Sequence, residues 1–108
     1  MVGTLVNQGD IWVLQPLEGG KGRPVLVVTR DVAIAVLNRV VVAPITSTVR
    51  AIPTCIPVGP AEGIDHESVA SFDNLGVVPK AALTARLGDL GPPARRLICA
   101  ALAALADC

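Results

Sequence analysis

The chain has 108 residues, 52% of them hydrophobic before its ten glycines are counted, where a typical soluble domain reaches about 45–50% with glycine included. That length allows one small domain over residues 1–108, and the apolar excess favours a homodimer interface, the alternative being a core of unusually small side chains. The net charge is zero and the three cysteines, Cys55, Cys99 and Cys108, are scattered and odd in number, which excludes a disulfide framework and suits a reduced cytoplasmic protein.

Residues 9–14 (Gly-Asp-Ile-Trp-Val-Leu) read as a first strand after a disordered N-terminus. Residues 1–8 lack a charged stretch ahead of an apolar one, so no signal peptide is expected. Residues 16–22 hold Gly19, Gly20 and Gly22 and form a mobile loop. The run from Arg23 to Thr29 is short, β-branched and apolar, the pattern of a buried strand. Residues 31–38 turn or make one helical turn, with Asp31 available as N-cap. Arg39 to Thr46 is a third strand of the same buried type, and residues 54–58 a fourth. Two prolines and two glycines force a loop over residues 57–63. Residues 68–72 form a fifth strand, and 75–78 and 83–87 short sixth and seventh strands. Pro92-Pro93 starts a helix that runs to about Ala106, with Leu97, Ile98, Ala101, Leu102 and Leu105 on one apolar face. Its longest apolar run, ten residues, is too short to span a bilayer. Several short strands followed by one helix predict a mostly β (α+β) chain, a compact barrel without β-α-β repeats.

Two features carry chemistry. Arg23 opens the second strand and Thr46-Ser47-Thr48 closes the third, so a guanidinium and a hydroxyl cluster can meet at one sheet edge. A guanidinium offers a planar fork of donors that fits a phosphate, and a hydroxyl adds one more donor beside it. Thr46 reads equally well as an ordinary β-branched strand end. Charge is segregated as well: residues 18–50 hold five bases against two acids, a local +3, while residues 51–78 hold four acids and no base, a local −4. A zero total therefore leaves room for a basic RNA groove. With a single histidine, His66, and no Cys-x-x-Cys pattern, neither a zinc site nor any other cofactor is expected. His66, in the acidic stretch, is expected at the surface, while Trp12, Phe72, Cys55 and Cys99 are expected in the core. With 2% aromatic residues the chain has no base-stacking platform, so base recognition would rest on hydrogen bonds from loops.

Gly9-Asp10-Ile11-Trp12, the Gly-Arg-Pro-Val-Leu-Val-Val run from Gly22, Ala43-Pro44-Ile45-Thr46-Ser47-Thr48, Ile56-Pro57-Val58 and Ser68-Val69-Ala70 leading to Asp73-Asn74 stand in an order and spacing that resembles the MazF/PemK family, endoribonuclease toxins of bacterial toxin–antitoxin pairs. The resemblance implies an SH3-like small β-barrel of five to seven strands with a C-terminal α-helix, acting as a homodimer. It implies metal-independent, sequence-specific cleavage of single-stranded RNA by attack of the RNA's own 2′-hydroxyl, and a cognate antitoxin with an acidic segment that blocks the RNA groove. Arg23 matches the family's catalytic arginine and Thr46 the threonine that positions the scissile phosphate. Glu18 stands where some members carry an acid with a proton-transfer role, the alternative being a solvated loop carboxylate. Lys21, Ser47, Thr48 and Arg50 are candidate RNA-backbone contacts, and Asn74, where many members have Gln, a candidate base reader. The competing reading is a non-catalytic binding toxin or degenerate member on the same barrel, as in the CcdB-like gyrase-binding toxins, which use a C-terminal aromatic. This chain ends Ala106-Asp107-Cys108.

Overall fold

The computed structural model describes residues 5–106. Seven strands, β1 (Asp10–Leu14), β2 (Arg23–Val27), β3 (Arg39–Thr46), β4 (Cys55–Val58), β5 (Ser68–Ser71), β6 (Gly76–Pro79) and β7 (Leu83–Asp89), are followed by the helix α2 (Ala94–Ala106), with a single-turn helix α1 (Asp31–Ile34) between β2 and β3. The strands form one antiparallel, curled half-barrel in the order β4-β5-β3-β2-β1-β7, with β6 paired to β3 outside that path. The β1–β7 ladder carries register shifts at Ile11/Trp12 and Val13/Leu14, and such irregularities add the local twist that curls a sheet. The mostly β small-barrel architecture with a C-terminal helix agrees with the sequence reading. No helix among the described residues is long and apolar enough to cross a membrane.

The central strands β2 and β3 are apolar on both faces because each face covers a core. Ile11, Leu26, Val28 and Ala43 face one cluster that includes Ile56, Ala70, Phe72, Ile98 and Ala101. Trp12, Val25, Val27, Val40 and Val42 face the other, closed by Val6, Ile34 and Leu83. Both aromatics lie in the core, as expected.

Three local expectations need correction. Asp31 does not cap α1; Arg30 holds the cap position, and the Asp31 carboxylate accepts the Gln8 backbone N–H at 2.7 Å. That bond belongs to an N-terminal arm that is tied down from Val6 onward. Val6 is buried, and the Gln8 side-chain amide donates to Val28 O at 2.9 Å. Expected disorder of residues 1–4 lies outside the described residues, as does Cys108. On α2 only Ile98 and Ala101 are buried, while Leu102 and Leu105 are exposed, because the helix meets the body along one narrow edge against β4 and the turn after β5. Cys99, on the same helix, is exposed and not a core residue; Cys55 is partly buried.

One polar knot lies inside the sheet. Asp10 is buried, and its carboxylate accepts the Asn7 N–H at 2.9 Å and the Trp12 indole N–H at 3.3 Å. Arg86 of β7 lies 3.5 Å from the same carboxylate and is hydrogen-bonded to Asp89. The hydrogen bond to Asp89, followed by the charge of Asp10, holds the Arg86 guanidinium above its ordinary pKa. Asp10 thus joins the arm, β1 and β7 at one point. Replacing Asp10 with Ala leaves buried donors without acceptors, and the expected loss is about 1–3 kcal/mol of unfolding free energy, measured by urea denaturation.

Candidate active site

The register of β2 on β3 builds the site. Val25 pairs with Pro44, Leu26 with Ala43 and Val27 with Val42, and the same register extended by two residues sets Arg23 opposite Thr46. Val28 N–H donates to Val41 O at 2.9 Å. Antiparallel alternation from that bond makes Val25–Pro44 and Arg23–Thr46 the narrow, non-hydrogen-bonded kind of pair, in which facing side chains stand closest. The guanidinium and the hydroxyl therefore project from the same face of adjacent strands, at the rim where the apolar cluster ends.

At that rim opens a cleft of about 1230 Å³. Lys21 and Arg23 enter it from the start of β2, Thr46 and Ser47 from the end of β3, and Asp65 and His66 from the segment before β5. Leu14, Pro44, Ile64 and Leu87 are among its apolar walls. Arg23 is exposed, and its side chain has no hydrogen bond or ion pair among the described residues. A permanently charged donor fork without a protein partner is available to an anion. Thr46 is half-buried, and its Oγ1 accepts the Thr48 N–H at 3.1 Å. That contact uses an acceptor lone pair and leaves the hydroxyl proton to be donated into the cleft. The set can hold a phosphate by one fork and one hydroxyl, with Lys21 as a second positive charge.

The remaining sequence candidates lie elsewhere. Glu18 sits on an exposed turn closed by Gly19 N–H donating to Pro16 O at 3.2 Å, and it does not line the cleft. Thr48 and Arg50 are exposed on the loop after β3, beyond the cleft walls. Asn74 is exposed on the turn after β5, and its side-chain amide donates to Ser71 Oγ at 3.0 Å. Conversely, the cleft contains three polar side chains that were not assigned to it, Asp65, His66 and Ser68. His66 is a surface residue, as expected, with 62% of its side chain accessible, but the surface it occupies is the cleft wall. No spacing in the sequence signals this. It follows from Thr46 pairing with Val69, which brings the entrance of β5 to the end of β3. Among the described residues no group of three or more His, Cys, Asp or Glu is arranged to hold a metal ion.

A second groove of about 920 Å³ has a different character. Its walls include Val28, Leu37, Val41, Leu75, Val77 and Leu102, and no hydroxyl cluster faces its two arginines, Arg30 and Arg39. Leu37, Val77 and Leu102 are exposed there, with Val32 and Val36 nearby in sequence and also exposed. It reads as a contact surface.

Comparison with known proteins places this geometry in context. The family model described as PemK-like, MazF-like toxin of type II toxin–antitoxin system matches residues 7–106. The chain is 37% identical over 106 residues to a protein of Mycobacterium tuberculosis named probable endoribonuclease MazF5, an alignment covering 97% of this chain and 96% of that one. Among solved structures, the Mycobacterium tuberculosis toxin MazF-mt6 matches with a TM-score of 0.79 and 37% identity over 91% of this chain and 96% of its own. A mycobacterial endoribonuclease in complex with its cognate antitoxin matches with a TM-score of 0.79 and 27% identity, over 94% and 95% of the two chains.

Since Arg23 is exposed and makes no contact that holds the fold, Arg23→Ala should leave the unfolding free energy within about 0.5 kcal/mol of the original, measured by the same urea titration. A larger loss would show that the guanidinium supports the barrel.

Proposed function

We infer the function of this chain from the family to which it belongs, the PemK-like, MazF-like toxins of type II toxin–antitoxin systems. It is an RNA-cleaving toxin, an endoribonuclease, and the observation that carries the reading to particular atoms is the unpaired Arg23 guanidinium beside the Thr46 hydroxyl in one open cleft. The non-catalytic alternative needs neither group in that arrangement.

The proposed reaction uses no metal. The 2′-oxygen of a single-stranded RNA attacks the adjacent phosphate, the bond to the 5′-oxygen breaks, and the products are a 2′,3′-cyclic phosphate and a 5′-hydroxyl end. Arg23 stabilises the negative charge that grows on the non-bridging oxygens, because charge-assisted donors fixed before the reaction need no reorganisation during it. Thr46 donates to the same phosphate and fixes its orientation. Lys21 and Ser47 contact the backbone within the cleft, Thr48 and Arg50 contact it beyond, and Asn74 reads a base. Glu18, the acid that the family likeness offers for proton transfer, sits on an exposed turn outside the cleft and is given no part in this reaction.

A cognate antitoxin with an acidic segment would compete with RNA for Lys21 and Arg23. The relative solved with its antitoxin supports such a partner. The exposed apolar groove around Leu37, Val77 and Leu102 supports assembly as a homodimer. The free thiols of Cys55 and Cys99 support a reducing compartment, the cytoplasm.

Purified protein should cut single-stranded RNA in the presence of EDTA and leave 5′-hydroxyl ends. Strict Mg²⁺ dependence or 5′-phosphate ends would overturn the mechanism. Arg23→Ala, and Arg23→Lys as well, should lower kcat/KM by about 10²–10³-fold, since a point charge does not reproduce a bidentate fork. Sedimentation equilibrium should return about twice the 11.1 kDa chain mass, and Leu102→Asp should shift the equilibrium towards the monomer.

A further inference from the structure

Cleavage by a 2′-hydroxyl requires that one proton leave the attacking oxygen and another reach the departing one. The titratable and charged side chains that line the cleft are Lys21, Arg23, Asp65 and His66. Arg and Lys carry donors only, whereas a neutral imidazole accepts a proton and changes charge in the neutral range. Glu18 is absent from this set.

The segment that carries His66 is fixed on both sides. Before it, Gly59 N–H donates to the Glu62 carboxylate at 2.6 Å and Ile64 N–H donates to Gly59 O at 3.1 Å, and the Ile64 side chain is buried. The backbone at Glu62–Gly63 lies directly against Leu87–Gly88 of β7: a Cβ on Gly63 would stand 2.2 Å from Leu87 O, and one on Gly88 2.1 Å from Glu62 O. Gly63 also has φ +95°, which side chains rarely adopt. After His66, the buried Ser68 hydroxyl donates to His66 O at 3.2 Å, and β5 begins. The imidazole itself is flanked by Asp65, whose Oδ1 is 3.7 Å from Nδ1. Nε2 has no protein partner among the described residues. At that distance, beyond hydrogen-bond length, the exposed Asp65 carboxylate acts through its charge, which favours the imidazolium formed when the other nitrogen takes a proton.

We propose that His66 is the general base of this cleft, with Asp65 as the neighbouring charge that favours its protonated form. Resting on the endoribonuclease reading above, the step runs as follows. Neutral Nε2 accepts the 2′-hydroxyl proton as the O2′–P bond forms; the P–O5′ bond breaks, its electron pair goes to the 5′-oxygen, and that oxygen takes a proton from water. The imidazolium returns its proton to solvent. Arg23 and Thr46 hold the phosphate during the exchange, and Lys21, also facing the cleft, carries no proton in the step.

The test is single-turnover cleavage of a short single-stranded RNA across about pH 5–9 by the original protein, His66→Gln and Glu18→Gln, with a thermal melt of each. His66→Gln should fall by about 10²–10⁴-fold in rate, keep KM and the melt near the original, and lose the rise of rate with pH on the acidic side. Glu18→Gln should stay within about threefold and keep that rise. Added imidazole should restore part of the activity of His66→Ala. A substrate with sulfur in place of the departing 5′-oxygen, whose leaving group needs no proton, should not rescue His66→Gln. The assignment is overturned by a His66→Gln protein of original rate and pH profile, by loss of the acidic limb in Glu18→Gln instead, or by rescue on the sulfur substrate, which marks an acid. An original protein that cuts no RNA would defeat the endoribonuclease reading, whereas an active one with an indifferent His66 defeats this proposal alone.

Discussion

The change of partner along β3 is the constraint on which the rest depends. One edge of this strand bonds to β2 throughout its middle, while the other bonds first to β6, from Arg39 to Val42, and then to β5, at Ile45 and Thr46. Pro44 stands between the last β6 pair and the first β5 pair. A proline in a central strand ordinarily costs a ladder bond, but at this seam its missing N–H falls where one neighbour has ended and the other is just beginning. The strand can therefore serve two parts of the curl at once, and its end, Thr46, lies beside both β2 and β5.

Register then decides chemistry. Because side chains alternate along a strand, a slip of one residue between β2 and β3 would send Arg23 to the opposite face from Thr46 and take Val25 and Val27 out of the apolar cluster they pack in. The same hydrophobic burial that stabilises the sheet thus fixes the juxtaposition of Arg23 and Thr46, although neither contributes to the core. The site sits at the rim, where the apolar cluster stops and charged groups reach water without the cost of burying them. Stability and chemistry are carried by adjacent residues on the same strands and yet remain separable.

Two glycines, Gly63 and Gly88, perform the corresponding task for the loop before β5. Their missing Cβ atoms let two backbones touch, which anchors the Glu62–Gly63 backbone against Leu87–Gly88 of β7. The long-range ion pair of Asp10 with Arg86 secures the same end of β7 from its β1 side. The cleft wall with Asp65 and His66 is consequently built on a fixed edge, whereas Glu18 sits on an exposed turn at the far end of a glycine-rich connection.

What the sequence determined on its own was local. Buried strands announced themselves as short β-branched runs, the terminal helix as an apolar face after a proline pair, and Arg23 and Thr46 as polar ends of neighbouring runs, because each signal depends on residues a few positions apart. Sequence proximity does not report which residues line the cleft: Glu18 is five residues from Arg23 and outside it, whereas Asp65 and His66 lie inside. Asp31 looked like a helix cap and instead holds the N-terminal arm, and Leu102, on the apolar face of α2, turns to an open groove. These outcomes required the pairing of β3 with β5 and the packing of α2 along one edge. Such contacts form only when segments far apart in sequence bury apolar surface together, and no short-range pattern encodes which segments those will be.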